Sequence, residues 1–264
     1  MLQDSNFEPL VYSRLLRNET VDAGMAIARI NASILGPLER PCLHWVSRHL
    51  PQWLLPNHLT LFGLTGAGLA AAGFILSNWS VDWLWLACLG LLMNWFGDSL
   101  DGTLARLRNI ERPRFGFFVD HTSDLFSQFV IFLSLGLSPC THFGVACLGL
   151  IAFLIAFVYT LIGAHVLGTM RITYFGFGAT EIRALLLVGN LLVLAFGIVN
   201  LRPWFGIFAV SASVSIHDFV IVCLSLFATL LIAALAFREA RKLSGDDPAP
   251  NPTRGTDRAG KIGE

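Results

Sequence analysis

Charge is scarce in this sequence. Only 14% of its residues are Asp, Glu, Lys or Arg, against roughly 25% in an ordinary soluble domain, while 55% are hydrophobic and the mean hydropathy is +0.65. A soluble globular chain is excluded on that ground. The balance of 18 Lys and Arg against 18 Asp and Glu decides nothing, because the charges are unevenly spread; no nucleic-acid partner is expected. Cysteine is sparse too: Cys42, Cys88, Cys140, Cys147 and Cys223 form no CxxC pair and mostly sit in apolar runs. That rules out a disulfide framework or a zinc site and leaves small hydrophobes. The first thirty residues hold no uninterrupted apolar core, because Asp4, Glu8, Arg14, Arg17, Glu19, Asp22 and Arg29 break them, and no cleaved leader is expected.

Long apolar runs are what the sequence does have. Several approach the roughly 20 residues needed to cross a bilayer, and together they predict an all-α integral membrane protein with six transmembrane helices. The expected spans are Leu59–Ser77, a run from about Asp82 through Gly97, Pro113–Leu137, Phe143–Gly168, Ala184–Leu201 and Phe219–Phe237. The division is a cytosolic arm over 1–36 with some helix, a membrane domain over 37–240 and a disordered cytosolic tail over 241–264, the last rich in Asp, Pro, Gly and basic residues. Between Pro37 and Pro56, Leu38, Leu43, Trp45, Val46, Leu50, Trp53 and Leu54 mingle with Glu39, Arg40, His44, Arg48 and His49. This pattern fits an amphipathic helix in the interface plane, with an ordinary linker as the alternative. Residues 203–217, interrupted by Pro203 and Gly206, read as an outer loop. Gly63, Gly66, Ala67 and Ala70 make a small-residue stripe on which another helix can approach closely.

Basic residues orient the chain. With six spans, both termini lie on one side together with the 107–113 and 169–183 segments, and of the 18 Lys and Arg only Arg202 falls opposite. Short cytoplasmic loops retain Lys and Arg, so both termini and the acidic segment between Asp98 and Asp124 are expected to face the cytoplasm, at the inner membrane if the source is bacterial.

That acidic segment is the costly feature. An aspartate deep in a transmembrane helix costs roughly 2.5–3.5 kcal/mol on insertion scales, and four are present. Asp98 and Asp101 are i, i+3 on one helix face; Gly116, Asp120 and Asp124 are i, i+4, i+8 on another. A short bend folds the two helices into an antiparallel pair, so all four carboxylates are expected to converge at one depth. Oxygen-only ligands favour Mg²⁺, Mn²⁺ or Ca²⁺ over zinc. Gly102, Ala105 and Gly116 leave space beside the cluster and Arg106 sets a positive charge at its rim, an arrangement suited to a phosphate-bearing substrate. Two ions could clamp a diphosphate for in-line displacement. The spacing does not fit a DxDGTL phosphatase motif, whose aspartates are two apart after a strand, nor an EF-hand loop.

The pattern DxxDGxxAR, nine residues, then GxxxDxxxD resembles the signature of the CDP-alcohol phosphatidyltransferase family, and every fixed position matches: Asp98, Asp101, Gly102, Ala105, Arg106, Gly116, Asp120 and Asp124. The likeness extends to the six-span layout and to Pro56-Asn57-x-Leu59-Thr60 ahead of the first span. The resemblance implies that Asp98, Asp101, Asp120 and Asp124 hold Mg²⁺ or Mn²⁺, two ions in number, and that Asp124 is also the base for the acceptor hydroxyl. Gly102, Ala105, Arg106 and Gly116 would accommodate CDP, with Asn57 and Thr60 nearby. It further implies a CDP-alcohol donor, an alcohol acceptor, at least one of them a lipid, release of CMP and a homodimer, with which the glycine stripe is compatible.

Other signals are weaker. Thr180 as a helix N-cap and Glu181 in the first turn account for Gly178–Arg183 structurally; the segment also resembles the GPTE stretch of choline/ethanolamine phosphotransferases, and Asp120-His121 resembles their DHGxD version. Both tilt the reading towards an amino-alcohol head group. His121, Tyr159, His165, Arg171, Glu181 and Arg183 are candidates for an acceptor pocket, each with a plain packing, capping or topological alternative. A divalent-cation transporter remains the rival function, since intramembrane carboxylates also mark ion pathways; a lipid-binding scaffold is a third.

Overall fold

The computed structural model describes residues 28–30, 35–167, 169–171, 178–198, 200–201 and 214–247. Seven helices lie among them: α1 Gly36–His49, α2 Pro56–Leu76, α3 Leu84–Leu107, α4 Pro113–Gly136, α5 Phe143–Leu167, α6 Ala179–Phe196 and α7 Ile216–Asp246. A single 3-10 turn, Val81–Trp83, leads into α3. Two short ladders accompany the helices. Ala28–Ile30 (β1) pairs in parallel with Thr169–Arg171 (β2), and Asn200–Leu201 (β3) pairs antiparallel with Val214–Ser215 (β4). Most of the expected N-terminal arm and outer loop, and residues 248–264 of the tail, lie outside the described residues.

Four helices, α2, α5, α6 and α7, are long and apolar enough to cross a membrane. α3 and α4 have 24 residues each, about 36 Å of helix at 1.5 Å per residue, but carry the acidic motif between them. The helices begin and end within a few residues of the expected apolar runs, except that α3 continues through the acidic motif to Leu107 and the last two helices differ. α6 starts at Ala179 instead of Ala184 because the Glu181 side chain accepts from the Gly178 amide at 2.8 Å and closes the first turn. The N-cap is therefore Gly178, and Thr180 is already inside the helix. α6 ends at Gly197, whose φ of 76° is a conformation that only glycine adopts at little cost. α7 starts at Ile216, capped by reciprocal bonds between Ser215 and Asp218 at 3.0 Å each. It runs on past Arg238 to Asp246, since Arg-Glu-Ala-Arg-Lys-Leu are good helix formers and the Arg241 guanidinium lies over the Phe237 ring. The tail expected from 241 thus begins as helix.

The tightest contact in the molecule is between α2 and α3, and glycine makes it so. A Cβ placed on Gly66 would meet the Asn94 backbone nitrogen at 2.5 Å; one on Gly73 would meet Ala87 N at 2.3 Å, one on Gly90 Ala70 N at 2.2 Å, and one on Gly97 Gly63 N at 2.5 Å. The small-residue stripe is therefore used up against α3 of the same chain, and offers nothing to a second copy. Asn94, fully buried, joins three helices by donating to Gly63 O of α2 and Ser127 Oγ of α4. α5 packs on α4 and α7, and α6 packs on α3, whereas α6 and α7 barely touch.

α1 is held against α3 through a cluster of Leu43, Leu100 and Leu104 that Leu59 of α2 completes, and through Glu39, which accepts from Trp95 Nε1 and Ser99 Oγ. Leu38 and Trp45 remain exposed on its other side. Arg108, at the end of α3, donates to four carbonyls of the α1–α2 connection: Leu50, Pro51, Gln52 and Leu54, at 2.6–3.3 Å.

Candidate active site

The α3–α4 hairpin does what the spacing demands of it. α3 stops at Leu107 and the chain turns through Asn109, whose φ is 54°; α4 then begins with Pro113 at its first position, where the missing N–H costs nothing. α3 and α4 approach each other closely at few points, yet carboxylates from both reach a common site. Asp98, Asp120 and Asp124 each offer a carboxylate oxygen, and the three atoms lie within 4.8 Å of one another. Asp101 is not part of that group. It is buried beside it, accepting from Thr60 Oγ1 at 2.6 Å and from the Gly102 amide. The convergence expected of four carboxylates is thus a triad with a fourth tied to α2.

The donor chemistry suits a hard cation. Three carboxylates with no sulfur or imidazole among them select Mg²⁺, Mn²⁺ or Ca²⁺. A hollow of about 10 Å³, walled by Thr60, Gly63, Leu64, Asn94, Asp98, Ser123, Asp124 and Ser127, adjoins two of the three, which is room for one water-sized particle.

Arg183 is the residue whose place the sequence did not indicate. Its position near the start of a span suggests an acceptor pocket or a topological role, but α6 carries it into the carboxylates, where only 3% of its side chain is exposed. Its Nη1 donates to Asp98 Oδ2 at 2.6 Å and its Nη2 to Asp124 Oδ1 at 2.8 Å. One guanidinium fork thereby joins α3, α4 and α6.

The nucleotide candidates of the hairpin lie close to its bend. Ala105 and Gly102 are half-buried, while Arg106, Gly116 and Asn57 are exposed. Beyond the helix's own backbone, nothing lies within 4 Å of a Cβ built on Gly116, and a Cβ on Gly102 would meet the Arg106 guanidinium, at 3.3–3.8 Å. Arg106 itself donates to Thr103 Oγ1.

A cavity of about 340 Å³ opens from Asp120, His121 and Asp124 and runs between α4, α5, α6 and α7. Its wall is apolar for most of its length, with Phe132, Phe153, Phe157, Leu186, Ile221 and Ile232 among its residues, and His217 is at the Gly189 side. Of the acceptor-pocket candidates only His121 lines it. Its ring stacks on Phe117 with centroids 4.1 Å apart, and its Nδ1 bonds the Phe117 carbonyl. Tyr159 is half-buried and His165 exposed on α5, and neither is in the wall. Glu181 is buried and spent on backbone amides, those of Gly178 and Leu35. Arg171 lies in β2, with its side chain outside the described residues.

Comparison with known proteins bears on this constellation. A cholinephosphotransferase 1 of Gallus gallus is 29% identical over 184 residues, 65% of this chain and 52% of that protein. An archaetidylinositol phosphate synthase of Pyrococcus horikoshii is 32% identical over 146 residues, 55% of this chain and 66% of that one. An uncharacterized protein of Aquifex aeolicus is 41% identical over 87 residues, 33% and 41% of the two chains. The chain thus spans from 41% to 66% of the length of these relatives. A family-wide match covers residues 53–215, from just before α2 to the N-cap of α7. It takes in the whole acidic hairpin and well over half of the chain, which therefore belongs to the CDP-alcohol phosphatidyltransferase family.

Proposed function

We propose that this protein is a divalent-metal-dependent membrane transferase: it moves a substituted phosphate from a CDP-alcohol to the hydroxyl of a lipid alcohol and releases CMP, a step of phospholipid synthesis. The observation that carries the reading is the joining of the carboxylate triad to an apolar cavity at Asp120 and Asp124. A charged reaction centre that opens directly into an alkyl-sized space is what transfer to a lipid requires.

Asp98, Asp101, Asp120 and Asp124 hold the ions, which when bound would neutralise the diphosphate and the departing CMP. Gly102, Ala105, Arg106 and Gly116, with Asn57 and Thr60, receive the nucleotide. Asp124 takes the proton of the acceptor hydroxyl while that oxygen forms its bond to the β-phosphorus; the bond from the β-phosphorus to the bridging oxygen breaks, and CMP leaves with the electron pair. The opening of the cavity at Asp124, the proposed base for the acceptor, supports the lipid as acceptor and a polar alcohol on the CDP. The cholinephosphotransferase likeness then supports an amino alcohol as that head group. His121, stacked on Phe117 in the cavity wall, orients the acceptor. The Lys and Arg distribution supports six spans with both termini and the site on the cytoplasmic face, and the family resemblance supports a homodimer built on a surface other than the α2 glycines.

An ion pathway gains no support. The carboxylates sit on the middle and bend-side turns of α3 and α4, and beyond them the cavity wall offers little besides Thr160, Ser225 and His217 that is polar. The test is a matrix of CDP-linked polar alcohols and CDP-diacylglycerol against diacylglycerol and polar acceptors, with Mg²⁺ or Mn²⁺, read as CMP release and lipid product mass. CMP from a CDP-amino alcohol with diacylglycerol is expected, and Asp124→Asn should abolish it with the melting temperature retained. Wild-type turnover in that variant would refute the assigned base.

A further inference from the structure

Arg183 brings a permanent positive charge into a site whose ligands are chosen to hold positive ions. Arginine does not deprotonate in proteins, so this charge cannot be shed. Nor is the side chain free to withdraw. It is 3% exposed, its Nε has no partner among the described residues, and its helix is pinned two residues earlier by Glu181, buried and bonded to the amides of Leu35 and Gly178. The two carboxylates it grips, Asp98 and Asp124, are two of the three that converge. A divalent ion on that triad would share both with a guanidinium already within hydrogen-bonding distance.

The charges say which way this acts. As the carboxylates that ion binding requires, four aspartates carry −4, and the guanidinium paired with Asp98 and Asp124 brings the sum to −3. Two divalent ions would take the first set to neutrality and the second to +1. Arg183 therefore opposes ion binding in the absence of an anion, and leaves a fully loaded site that attracts one. A nucleotide diphosphate supplies that anion. Without Arg183, the ions would bind tightly by themselves and leave a neutral cluster, with Arg106 at the rim as the remaining attraction for the diphosphate.

We propose that Arg183 is a positioning residue that couples ion loading to nucleotide binding: it weakens the intrinsic hold of the aspartates on divalent ions so that ions and diphosphate bind together. This rests on the metal and CDP reading of the site.

The experiment measures Mn²⁺ binding to the full-length protein in detergent, from the electron paramagnetic resonance signal of free Mn²⁺, with and without CDP and corrected for Mn²⁺ held by CDP in solution. In the wild type, CDP should tighten Mn²⁺ binding severalfold. In Arg183→Gln, Mn²⁺ alone should bind about tenfold tighter or more, as expected on removing a unit charge a few ångströms away, and the enhancement by CDP should shrink towards none. Arg183→Lys keeps a charge but cannot fork across two carboxylates; it should bind Mn²⁺ only a few times tighter than wild type, and it decides the matter if the glutamine variant does not fold. Mn²⁺ affinity that is unchanged or lower in the folded variants overturns the proposal while leaving the transferase reading intact. A wild type that binds no Mn²⁺ at millimolar concentration with CDP present overturns the reading of the site, and the proposal with it.

Discussion

The α2–α3 contact makes a sharp prediction because its tolerance is set by backbone atoms. At Gly97 an added Cβ would stand 2.5 Å from both Gly63 N and Leu59 O. Ordinary contact begins at 3.4 Å, so the shortfall is roughly 1 Å, and no rotamer change relieves a clash with backbone. Gly97→Ala must therefore push the helices apart, at about 1–3 kcal/mol for overpacking of this kind. Asp98 is the next residue, so the displacement is delivered directly to the triad. A misplacement of about 1 Å at a reaction centre can cost on the order of 100-fold in rate. Gly90→Ala meets an equally hard wall, Ala70 N at 2.2 Å, but two turns further from Asp98. It should lower stability by a similar amount and CMP release by much less. Gly68→Ala is the control, since nothing lies within 4 Å of its Cβ and alanine is the better helix former by about 1 kcal/mol. The assay is the melting temperature of each purified variant in detergent alongside its initial rate of CMP release. Wild-type stability and rate in Gly97→Ala would refute the account of the glycines as spacers for the site.

Three other outcomes follow from single bonds. Thr60→Val removes the hydroxyl that donates to buried Asp101 at 2.6 Å; loss of a hydrogen bond to a charged group costs roughly 1.5–3 kcal/mol, and Mn²⁺ affinity by spectroscopic titration should change as Asp101 is released. Arg108→Ala strips four carbonyls of their donor, at roughly 1–3 kcal/mol in melting experiments, and should open residues 50–54 to limited proteolysis; Arg108→Lys, lacking the fork, should restore only part. Asp218→Ala removes both the α7 cap and the acceptor of the His142 amide and ring. It should lower stability by about 1–2 kcal/mol while leaving Mn²⁺ binding at the wild-type level, being at the opposite end of the bundle.

Much of the fold was legible because its signals are local. Apolar length marks the helices, Pro56 and Pro113 mark two starts, and the bend after Leu107 follows from the motif itself. The errors came where a helix end depends on a contact. Glu181 draws the start of α6 back to Ala179, and Asp218 in the cap of α7 draws its start to Ile216, so both helices begin before the first apolar residue of the run. The stacking of Arg241 on Phe237 carries α7 into a segment whose composition alone reads as tail. The glycine stripe was read correctly as a site of close approach; a sequence does not say whether the helix that approaches comes from the same chain.

The site was legible to the degree that it is helical spacing, and opaque where it depends on a third helix. Residues at i and i+3 or i+4 share a face whatever surrounds them, so Asp98, Asp120 and Asp124 could be brought together from the pattern. The partners that divide the four carboxylates come from α2 and α6, distant in sequence from the motif. Thr60 turns Asp101 out of the triad, and Arg183 enters it. Arg183 in particular counted as evidence of topology, since a basic residue near the start of a span obeys the positive-inside rule whether its side chain points to water or to a carboxylate. A positive charge that is 3% exposed needs a counter-charge within reach, and in this bundle the strongest concentration of negative charge available to α6 is the reaction centre. The cost of burying Asp98 and Asp124 and the cost of burying Arg183 are thus offset by one arrangement, which places the arginine where it must influence whatever cation the aspartates hold.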